Sequence, residues 1–226
     1  MLVLGVETSC DDTAAAVLRD GRRILANVVS SQDQIHGPYG GVVPELASRQ
    51  HIRNILPIVD DALQKAGVAL QDLDGMAVTY GPGLVGSLLV GLSLVKGISF
   101  RSGIPYVGIN HLEAHLLAIQ LEHEVSFPYL ALLASGGHTL LYCVKDVGAY
   151  VHLGGTRDDA AGEAYDKVAK MMGLGYPGGR IIDHLAKDGD RKAIRFPRAR
   201  LKNSCDFSFS GIKIAVWYYL KSRGSE

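Results

Sequence analysis

Two histidines four residues apart are the residues in this sequence most suited to chemistry. They are His111 and His115, within the segment NHLEAH at residues 110–115. On a helix, residues three and four apart are surface neighbours, so both imidazoles would lie on one face and could share an ion. Neutral imidazole nitrogen suits zinc and first-row transition metals better than magnesium or calcium. The pair predicts a metal site; two partly buried histidines that only satisfy hydrogen bonds are the alternative.

A catalytic metal site needs more than this pair. Such sites usually have three protein ligands and an open position for water or substrate, and no His, Cys or Asp close to the pair supplies the third. Helical spacing turns Glu113 away from the shared face. The spacing is not the His-Glu-x-x-His of metallopeptidases, in which the glutamate is the general base. The sequence therefore disfavours a metallopeptidase.

Strands and helices alternate around the histidines, which predicts an α/β fold. Asn110 is placed to cap the histidine helix. In the first half of the chain, apolar alternation and helical periodicity predict strands at 2–7, 13–19, 24–31, 75–80 and 104–109 and helices at 45–66 and 84–98.

The opening pattern of strand, polar turn and two antiparallel strands recurs in the second half. Strands are predicted at 129–134, 139–145 and 150–155, helices at 162–172 and 180–187, and a strand followed by a helix near 207–221. The recurrence indicates an internal duplication, with coincidence between two common meanders as the alternative. We predict a first domain at 1–125 and a second at 126–226, the second being incomplete because a duplicate of the first would need a further strand and helix.

Three glycine-rich turns could receive a phosphate group. They are GPGLVGS at 81–87, SGGHT at 135–139 and GYPGGR at 175–180. Backbone N–H groups at the start of a helix favour anions, although glycine also serves simple tight turns. The first turn lacks the Lys-Ser/Thr of a P-loop. Together the three turns favour a ligand of the nucleotide type.

Acidic residues cluster in two places. The segment ETSCDD at 7–12 ends the first strand, on the side of an α/β sheet where ligands usually bind. In the segment DDAAGEAYDK at 158–167, capping and compensation of the helix dipole are the alternative to ligand binding for Asp158, Asp159 and Glu163, and we expect them to explain some of these acids. Asp166 lies further into the helix, so we predict that it binds a ligand hydroxyl or amine.

Composition restricts the class of protein. The 226 residues carry 23 basic and 23 acidic side chains, a formal net charge of zero, so any contact with a polyanion must be local. The best candidate is the basic run at 191–202, for which a solvated loop is the common alternative. Three scattered cysteines and no signal peptide favour the cytoplasm. The longest apolar stretch, 84–98, is short for a membrane span, so no membrane association is expected.

Five motifs, in order through the whole chain, closely resemble the tRNA threonylcarbamoyladenosine transferase family (TsaD). They are GVETSCDDT at 5–13, GPGL at 81–84, NHLEAH at 110–115, SGGHT at 135–139 and DDAAGE at 158–163. The resemblance implies a duplicated actin-like, sugar-kinase and Hsp70-like α/β fold. Leu133 stands where archaeal and eukaryotic relatives offer a tyrosine ligand, which points to the bacterial branch.

The resemblance also implies the site residues. His111 and His115 would be the catalytic metal ligands of one divalent ion per subunit, iron or zinc. The site for the substrate threonylcarbamoyl-AMP would comprise Ala134, Ser135, Gly136, Gly137, His138, Asp166, Gly179 and Asp183. Family members run on beyond the equivalent of residue 226 and carry there an aspartate that completes the metal site and an asparagine that contacts the adenylate.

The implied reaction moves the threonylcarbamoyl group from threonylcarbamoyl-AMP to the exocyclic amine of the adenosine next to the anticodon, in tRNAs that read codons beginning with A. The implied partners are tRNA, a smaller actin-like paralogue and an ATPase subunit, with a homodimer as the alternative for the isolated chain. Two rival functions remain open: a small-molecule kinase of the same fold, and a non-catalytic partner subunit.

Overall fold

The computed structural model describes residues 1–224, and the chain divides into two units. The first unit comprises residues 1–36 and 42–125, and the second comprises residues 37–41 and the chain from Ser126 onward. The expected boundary, after residue 125, falls where the second unit begins its main segment. The short segment 37–41 groups with the second unit although it lies early in the sequence.

The first unit is built on a five-stranded mixed sheet in the order β3-β2-β1-β4-β5. The strands are β1 (Leu2–Glu7), β2 (Thr13–Arg19), β3 (Arg23–Ser30), β4 (Gly75–Gly81) and β5 (Tyr106–Asn110). Strands β1, β2 and β3 form an antiparallel meander, whereas β4 is parallel to both β1 and β5. The carboxyl ends of β1, β4 and β5 therefore meet at one edge of the sheet.

Four helices belong to the first unit: α1 (Asp33–His36), α2 (Pro44–Ala66), α3 (Val85–Ser102) and α4 (His111–Leu117), with 3-10 turns at 70–72 and 118–121. The 3-10 turn at 37–39 lies in the segment that groups with the second unit. Helix α2 ends at Gly67, whose φ of 66° is left-handed and favours glycine. The core contains apolar residues from β1, β4, α2 and α3, including Leu4, Met76, Ile55 and Val95.

Helix α3 is, within residues 1–224, the helix whose length and composition would suffice to cross a membrane. Part of its apolar surface packs in the core. Val95 is fully buried in the core cluster, and Val90, Leu94 and Ile98 pack against that cluster. Other apolar side chains of α3 are exposed, among them Val85, Leu89 and Phe100.

The second unit has a three-stranded antiparallel sheet in the order β6-β7-β8. Its strands are β6 (Tyr129–Ala134), β7 (Thr139–Asp146) and β8 (Ala149–Gly155), and its helices are α5 (Ala161–Met171), α6 (Gly178–Ala186) and α7 (Ser210–Arg223). These three strands repeat the pattern of β1, β2 and β3. The predicted α/β class is confirmed.

One predicted element is wrong. Near residue 207 we expected a strand, but within the part of the chain that the structure describes only an isolated bridge joins Phe207 to Thr156. The Phe207 N–H donates to the Gly155 carbonyl at 3.0 Å, and the Phe207 carbonyl accepts from the Arg157 N–H at 3.0 Å. Two backbone bonds fix this residue without continuing into a ladder.

Candidate functional site

The histidine helix begins directly at the carboxyl end of β5. Its cap is Asn110, whose side-chain oxygen accepts from the backbone N–H of Leu112 at 2.9 Å and of Glu113 at 3.2 Å. The capping predicted from the sequence is confirmed. It satisfies two N–H groups of the first turn and fixes the direction in which the histidines leave the sheet.

His111 and His115 lie side by side, as their spacing predicts. Their ring centroids are 4.6 Å apart and the rings are nearly perpendicular, at 89°. The His111 side chain is 19% exposed, whereas His115 is more open to solvent. The pair therefore presents two imidazoles to one small volume at the surface of the first unit.

Glu7, at the end of β1, contacts the ring of His111. Its Oε2 lies 3.2 Å from His111 Nδ1, and Ser9 Oγ lies 3.1 Å from the same nitrogen. Glu7 also accepts from the Thr79 hydroxyl at 2.6 Å and from the Ser9 backbone N–H. Burial alone raises the pKa of Glu7, but the hydrogen bonds from His111, Thr79 and Ser9 outweigh it and lower the pKa to about 2. Glu7 is therefore a carboxylate at neutral pH.

The donor chemistry of the pair fits a divalent ion of the zinc or iron type. Glu7 and Ser9 both contact His111 through Nδ1, and a carboxylate beside one ring nitrogen is common at metal-binding histidines. Within residues 1–224, no group of three or more His, Cys, Asp or Glu side chains is arranged to hold a metal. Metal binding by His111 and His115 stays a prediction.

Close packing accounts for two of the three glycines of the turn at 81–87, Gly83 and Gly86. A Cβ on Gly83 would lie 2.5 Å from the Ser9 carbonyl oxygen, and one on Gly86 would lie 2.5 Å from Ser48 Oγ. The N–H of Leu84 donates to the same Ser9 carbonyl at 2.7 Å. These glycines let the turn approach the loop after β1 and the helix α2, so their presence requires no phosphate.

The turn at 135–138 in the second unit has a different environment. The Ser135 N–H donates to the His138 carbonyl at 2.8 Å, and the His138 N–H donates to Ser135 Oγ at 3.1 Å. A Cβ on Gly136 or Gly137 would meet nothing within 4 Å. The turn is thus closed by its own hydrogen bonds, and its two glycines face open space.

The first turn of α5 packs against this turn. The Gly162 N–H donates to the Ser135 carbonyl at 3.1 Å, and a Cβ on Gly162 would lie 2.8 Å from Gly136 Cα. Only glycine allows this approach. A turn of small residues at a helix start suits a phosphate or carboxylate group.

Asp166 has a structural partner that its position in α5 did not suggest. Its Oδ1 accepts the N–H of Gly178 at 2.7 Å, so it caps α6 rather than its own helix. Gly179 lies in the first turn of α6, and Asp183 is exposed in the next turn. Asp166, Gly179 and Asp183 are therefore grouped around the contact of α5 with α6, and ligand binding by them stays a prediction.

Comparison with known proteins identifies the family. A sequence model of the tRNA N6-adenosine threonylcarbamoyltransferases, TsaD, matches residues 23–223. The proteins of that name from Geotalea uraniireducens and Syntrophotalea carbinolica are 58% and 59% identical over 98% and 99% of this chain. The chain belongs to the TsaD family. It spans 65% and 66% of the length of these two relatives.

The solved structures add evidence on the fold of this TsaD family member. Component A of (R)-2-hydroxyglutaryl-CoA dehydratase from Acidaminococcus fermentans superposes with a TM-score of 0.52 at 15% identity. The match covers 100% of this chain and 69% of that one. At this identity the likeness concerns the fold alone.

Two acids of the TsaD motif DDAAGE do not have the role predicted for them. Asp158 accepts from the Phe209 N–H at 2.8 Å and from Ser208 Oγ at 2.6 Å, so it binds the start of α7 rather than of α5. Asp159 pairs with Lys167 at 2.8 Å and with Lys213. Only Glu163 reaches the start of α5, where it accepts from Ala160 N–H at 3.3 Å.

Sequence reasoning placed Glu7 at the ligand side of the sheet but missed its contact with His111. The available signal was topological. Glu7 ends β1, Thr79 lies near the carboxyl end of β4 and His111 follows β5. Side chains near the carboxyl ends of neighbouring parallel strands lie close together. Recognising it would have required the strand order, which the sequence does not state.

Proposed function

We propose that this protein transfers the threonylcarbamoyl group from threonylcarbamoyl-AMP to the exocyclic amine of the adenosine next to the anticodon of tRNA. The observation that carries the proposal is membership of the TsaD family at 55–59% identity to proteins of that activity name. The adjacent rings of His111 and His115 and the open space beside Gly136 and Gly137 support the proposal.

The reaction is an acyl transfer. Threonylcarbamoyl-AMP is a mixed anhydride, and the adenosine amine attacks its carbonyl carbon. The bond between that carbon and the phosphate oxygen breaks, AMP leaves, and the amine loses a proton. In our proposal the backbone of Gly136 and Gly137 binds the phosphate, because this turn is closed internally and open outward. Backbone N–H groups fixed in advance stabilise developing negative charge without reorganisation.

His111 and His115 would hold the divalent ion, iron or zinc. Bound there, such an ion supplies Lewis-acid polarisation and a template for the adenylate. The chain's own contribution is orientation: Asn110 fixes the start of the helix, and Glu7 with Ser9 fixes the ring of His111.

The partners in this proposal are tRNA, a smaller actin-like paralogue and an ATPase subunit, acting in the cytoplasm. An exposed apolar surface on α2 and α3 suits the paralogue. Leu56 of α2 and Val85 of α3 are 62% and 74% exposed, and Ile52 and Leu89 are also exposed. Solvent-exposed apolar side chains on adjacent helices favour helix-to-helix association, and a homodimer through the same surface is the competing occupant.

The basic run at 191–202 is the proposed contact for tRNA. All six of its basic side chains are exposed: Arg191, Lys192, Arg195, Arg198, Arg200 and Lys202. Each phosphate contact made by such a side chain contributes to a salt-dependent affinity. Replacing Arg195, Arg198 and Arg200 with alanine should therefore weaken tRNA binding and reduce the slope of log affinity against log salt by roughly 0.9 per lost contact.

Filter binding of tRNA over a series of salt concentrations measures this effect. A matched control replaces three exposed cations elsewhere, Arg22, Arg49 and Lys65. If the triple variant in the basic run binds tRNA with unchanged affinity and salt slope, the run is a solvated loop.

The function itself is tested in cells depleted of the gene that encodes this chain. Mass spectrometry of nucleosides from bulk tRNA should show loss of threonylcarbamoyladenosine, restored by the gene and not by its His111→Ala or His115→Ala forms. His123→Ala is the matched control, since His123 is an exposed histidine a few residues beyond the same helix. An unchanged level of the modified nucleoside would favour the kinase or the non-catalytic subunit instead.

A further inference from the structure

Helix α7 presents aromatic side chains to solvent. Trp217 and Tyr218 are 44% and 62% exposed, and Ile214, one turn earlier, is exposed as well. The rings of Trp217 and Tyr218 contact each other, with centroids 4.9 Å apart and planes at 66°. Exposed apolar side chains that form a continuous patch mark an interaction surface. We therefore treat this face of α7 as a binding surface.

Cations lie beside the aromatic rings of α7. Lys221 Nζ is 5.1 Å from the centre of the Trp217 ring, and the Arg223 guanidinium carbon is 5.4 Å from the centre of the Tyr219 ring. Both distances are within the range of cation–π contacts. The sequence of α7 contains no acidic residue. The helix therefore combines aromatic rings with positive charge, as binding sites for single-stranded nucleic acids do.

The basic run at 191–202 is attached to the same helix. Phe196, in the middle of the run, contacts Tyr219 of α7 edge to face, with ring centroids 6.1 Å apart and planes at 81°. Arg195 and Arg198 are within two residues of Phe196 in the sequence. The contact of the two rings therefore brings the basic run next to α7.

The charge of this part of the chain is strongly unbalanced. Residues 191–224 carry nine basic residues and a single acid, Asp206, although the whole chain is neutral. Asp206 pairs with Arg157 at 2.9 Å, so its charge is already matched by a cation from outside the segment. A local excess of this size suits a polyanion.

We propose that α7 is a stacking platform for an unpaired base of single-stranded RNA. Trp217 and Tyr218 contact the base, and basic side chains of the run at 191–202 contact the flanking phosphates. The inference rests on the proposed function only in naming the RNA, which there is the anticodon loop of tRNA. Proteins recognise such loops by stacking unpaired bases on aromatic rings.

Positive charge alone would also suit an acidic protein or an anionic lipid surface. The aromatic rings favour RNA, because a base has a flat π face that stacks on an aromatic side chain. Neither a carboxylate nor a lipid headgroup phosphate has such a face. The same argument favours a loop over a duplex, in which the bases are already stacked on one another.

The first test uses the fluorescence of Trp217, which is the single tryptophan of the chain. Titration with a tRNA anticodon stem-loop, or with single-stranded RNA of the same length, should quench the indole because a base stacks on it. A blunt RNA duplex and inorganic polyphosphate should leave the emission unchanged, and N-acetyltryptophanamide corrects for absorption by the RNA. Equal quenching by all four, or a response to polyglutamate or to phosphatidylglycerol vesicles but not to single-stranded RNA, would overturn the proposal.

The second test measures RNA affinity by fluorescence anisotropy of the labelled stem-loop. Trp217→Ala and Tyr218→Ala should each weaken binding by roughly 5- to 100-fold, the usual effect of losing one stacked base. The salt slope should stay the same, since no phosphate contact is lost. Trp217→Phe keeps a ring and should retain most of the affinity.

Phe100→Ala is the matched control, because Phe100 is a 95% exposed aromatic residue on α3, in the other unit. Circular dichroism and thermal unfolding establish that each variant is folded. If folded Trp217→Ala and Tyr218→Ala bind the stem-loop as tightly as wild type, or if Phe100→Ala loses as much affinity as they do, α7 is not the platform.

The outcomes separate this inference from the proposed function. Binding of single-stranded RNA that depends on Trp217, together with unchanged threonylcarbamoyladenosine in the depleted cells, retains the platform and rejects the transferase. Loss of the modified nucleoside in those cells, together with full RNA affinity in Trp217→Ala, retains the transferase and rejects the platform.

Discussion

At the scale of single residues, a second histidine is as closely held as His111. His51 in α2 is fully buried; its Nε2 lies 3.0 Å from the Cys10 carbonyl and its Nδ1 lies 2.8 Å from Thr13 Oγ1. The carbonyl only accepts, so Nε2 carries the proton and Nδ1 accepts from the hydroxyl. His51 therefore ties the loop after β1 to α2 as a neutral ring.

This burial predicts acid sensitivity. It lowers the pKa of His51 below its ordinary 6.5 even though the Cys10 carbonyl acts in the opposite direction. Below pH 6.5, His51 is protonated in the unfolded chain but stays neutral in the folded protein. The free energy of unfolding should therefore fall as the pH is lowered from 7.5 toward 5. Urea unfolding at a series of pH values measures this change.

The matched variant is His51→Gln, which keeps polar atoms near both partners but cannot titrate. It should be less stable at pH 7.5, by about 1–3 kcal/mol, and should lose less further stability between pH 7.5 and 5. Glu7 does not interfere, because its pKa is lowered from 4.5 to about 2, and its contribution is lost only as the pH falls through that lower range. An equal pH slope in both proteins would contradict the assignment to His51.

The sequence predicted the histidine pair and the Asn110 cap because both depend on local spacing. It did not predict the roles of Glu7, His51 or Asp158, because their partners lie 104, 38 and 51 residues away along the chain. A contact at such separation follows from strand order and helix packing. The same limit applied to Asp166, whose cap is on the next helix.

At the scale of elements, the approach of α5 to the SGGH turn makes a sharp prediction. Gly162→Ala should destabilise the protein by about 1–3 kcal/mol, since its Cβ would meet the backbone of the turn. Gly136→Ala should leave stability nearly unchanged, because a Cβ there meets nothing within 4 Å. Thermal unfolding of the two variants beside wild type tests the difference.

The same two variants distinguish a structural role of the SGGH turn from a role in ligand binding. If the turn binds the adenylate, Gly136→Ala should weaken affinity for a non-hydrolysable analogue of threonylcarbamoyl-AMP while the fold is retained, because its methyl group projects into the open side. Calorimetric titration measures that affinity. Full affinity in Gly136→Ala would remove the turn from the adenylate site.

The elements themselves were predicted more accurately than their contacts. Strands β1, β2 and β6 have the predicted ends, because alternating burial and flanking turn residues are local signals. Helix α3 runs to Ser102, four residues beyond the expected end, where Gly103 adopts a left-handed φ of 78°. The continuous apolar run stops at Ile98, but the helix continues through Ser99, Phe100, Arg101 and Ser102 to its cap, so hydropathy alone placed the end too early.

At the scale of the whole molecule, the two units share one pattern of three antiparallel strands. In the first unit, β4 and β5 extend the meander of β1, β2 and β3; in the second, the described sheet contains β6, β7 and β8. The chain spans 65% of the length of its relative from Geotalea uraniireducens. Assays of the proposed transferase therefore include that relative beside this chain, whereas the tests of local geometry use this chain.

The exposed apolar surface of α2 and α3 gives the last prediction. Ser48 Oγ and Ser87 Oγ are 3.3 Å apart where the helices meet, and Ile52 follows Ser48 by one turn. In the proposed complex Leu89, 54% exposed on α3, would be buried against the paralogue. Leu89→Glu should weaken that association at least about tenfold, because burying an unpaired carboxylate costs more than the ~1.4 kcal/mol that a tenfold change represents.

Ile24→Glu is the matched control, since Ile24 is an exposed apolar residue of the same unit, 45% accessible, on β3 rather than on these helices. Analytical ultracentrifugation with and without the purified paralogue distinguishes binding of the paralogue from binding of a second copy of this chain. Loss of the heterodimer by Leu89→Glu alone supports the paralogue, whereas loss of self-association alone assigns the surface to a homodimer. If both complexes survive, the apolar surface serves neither, and the partner must bind elsewhere on the chain.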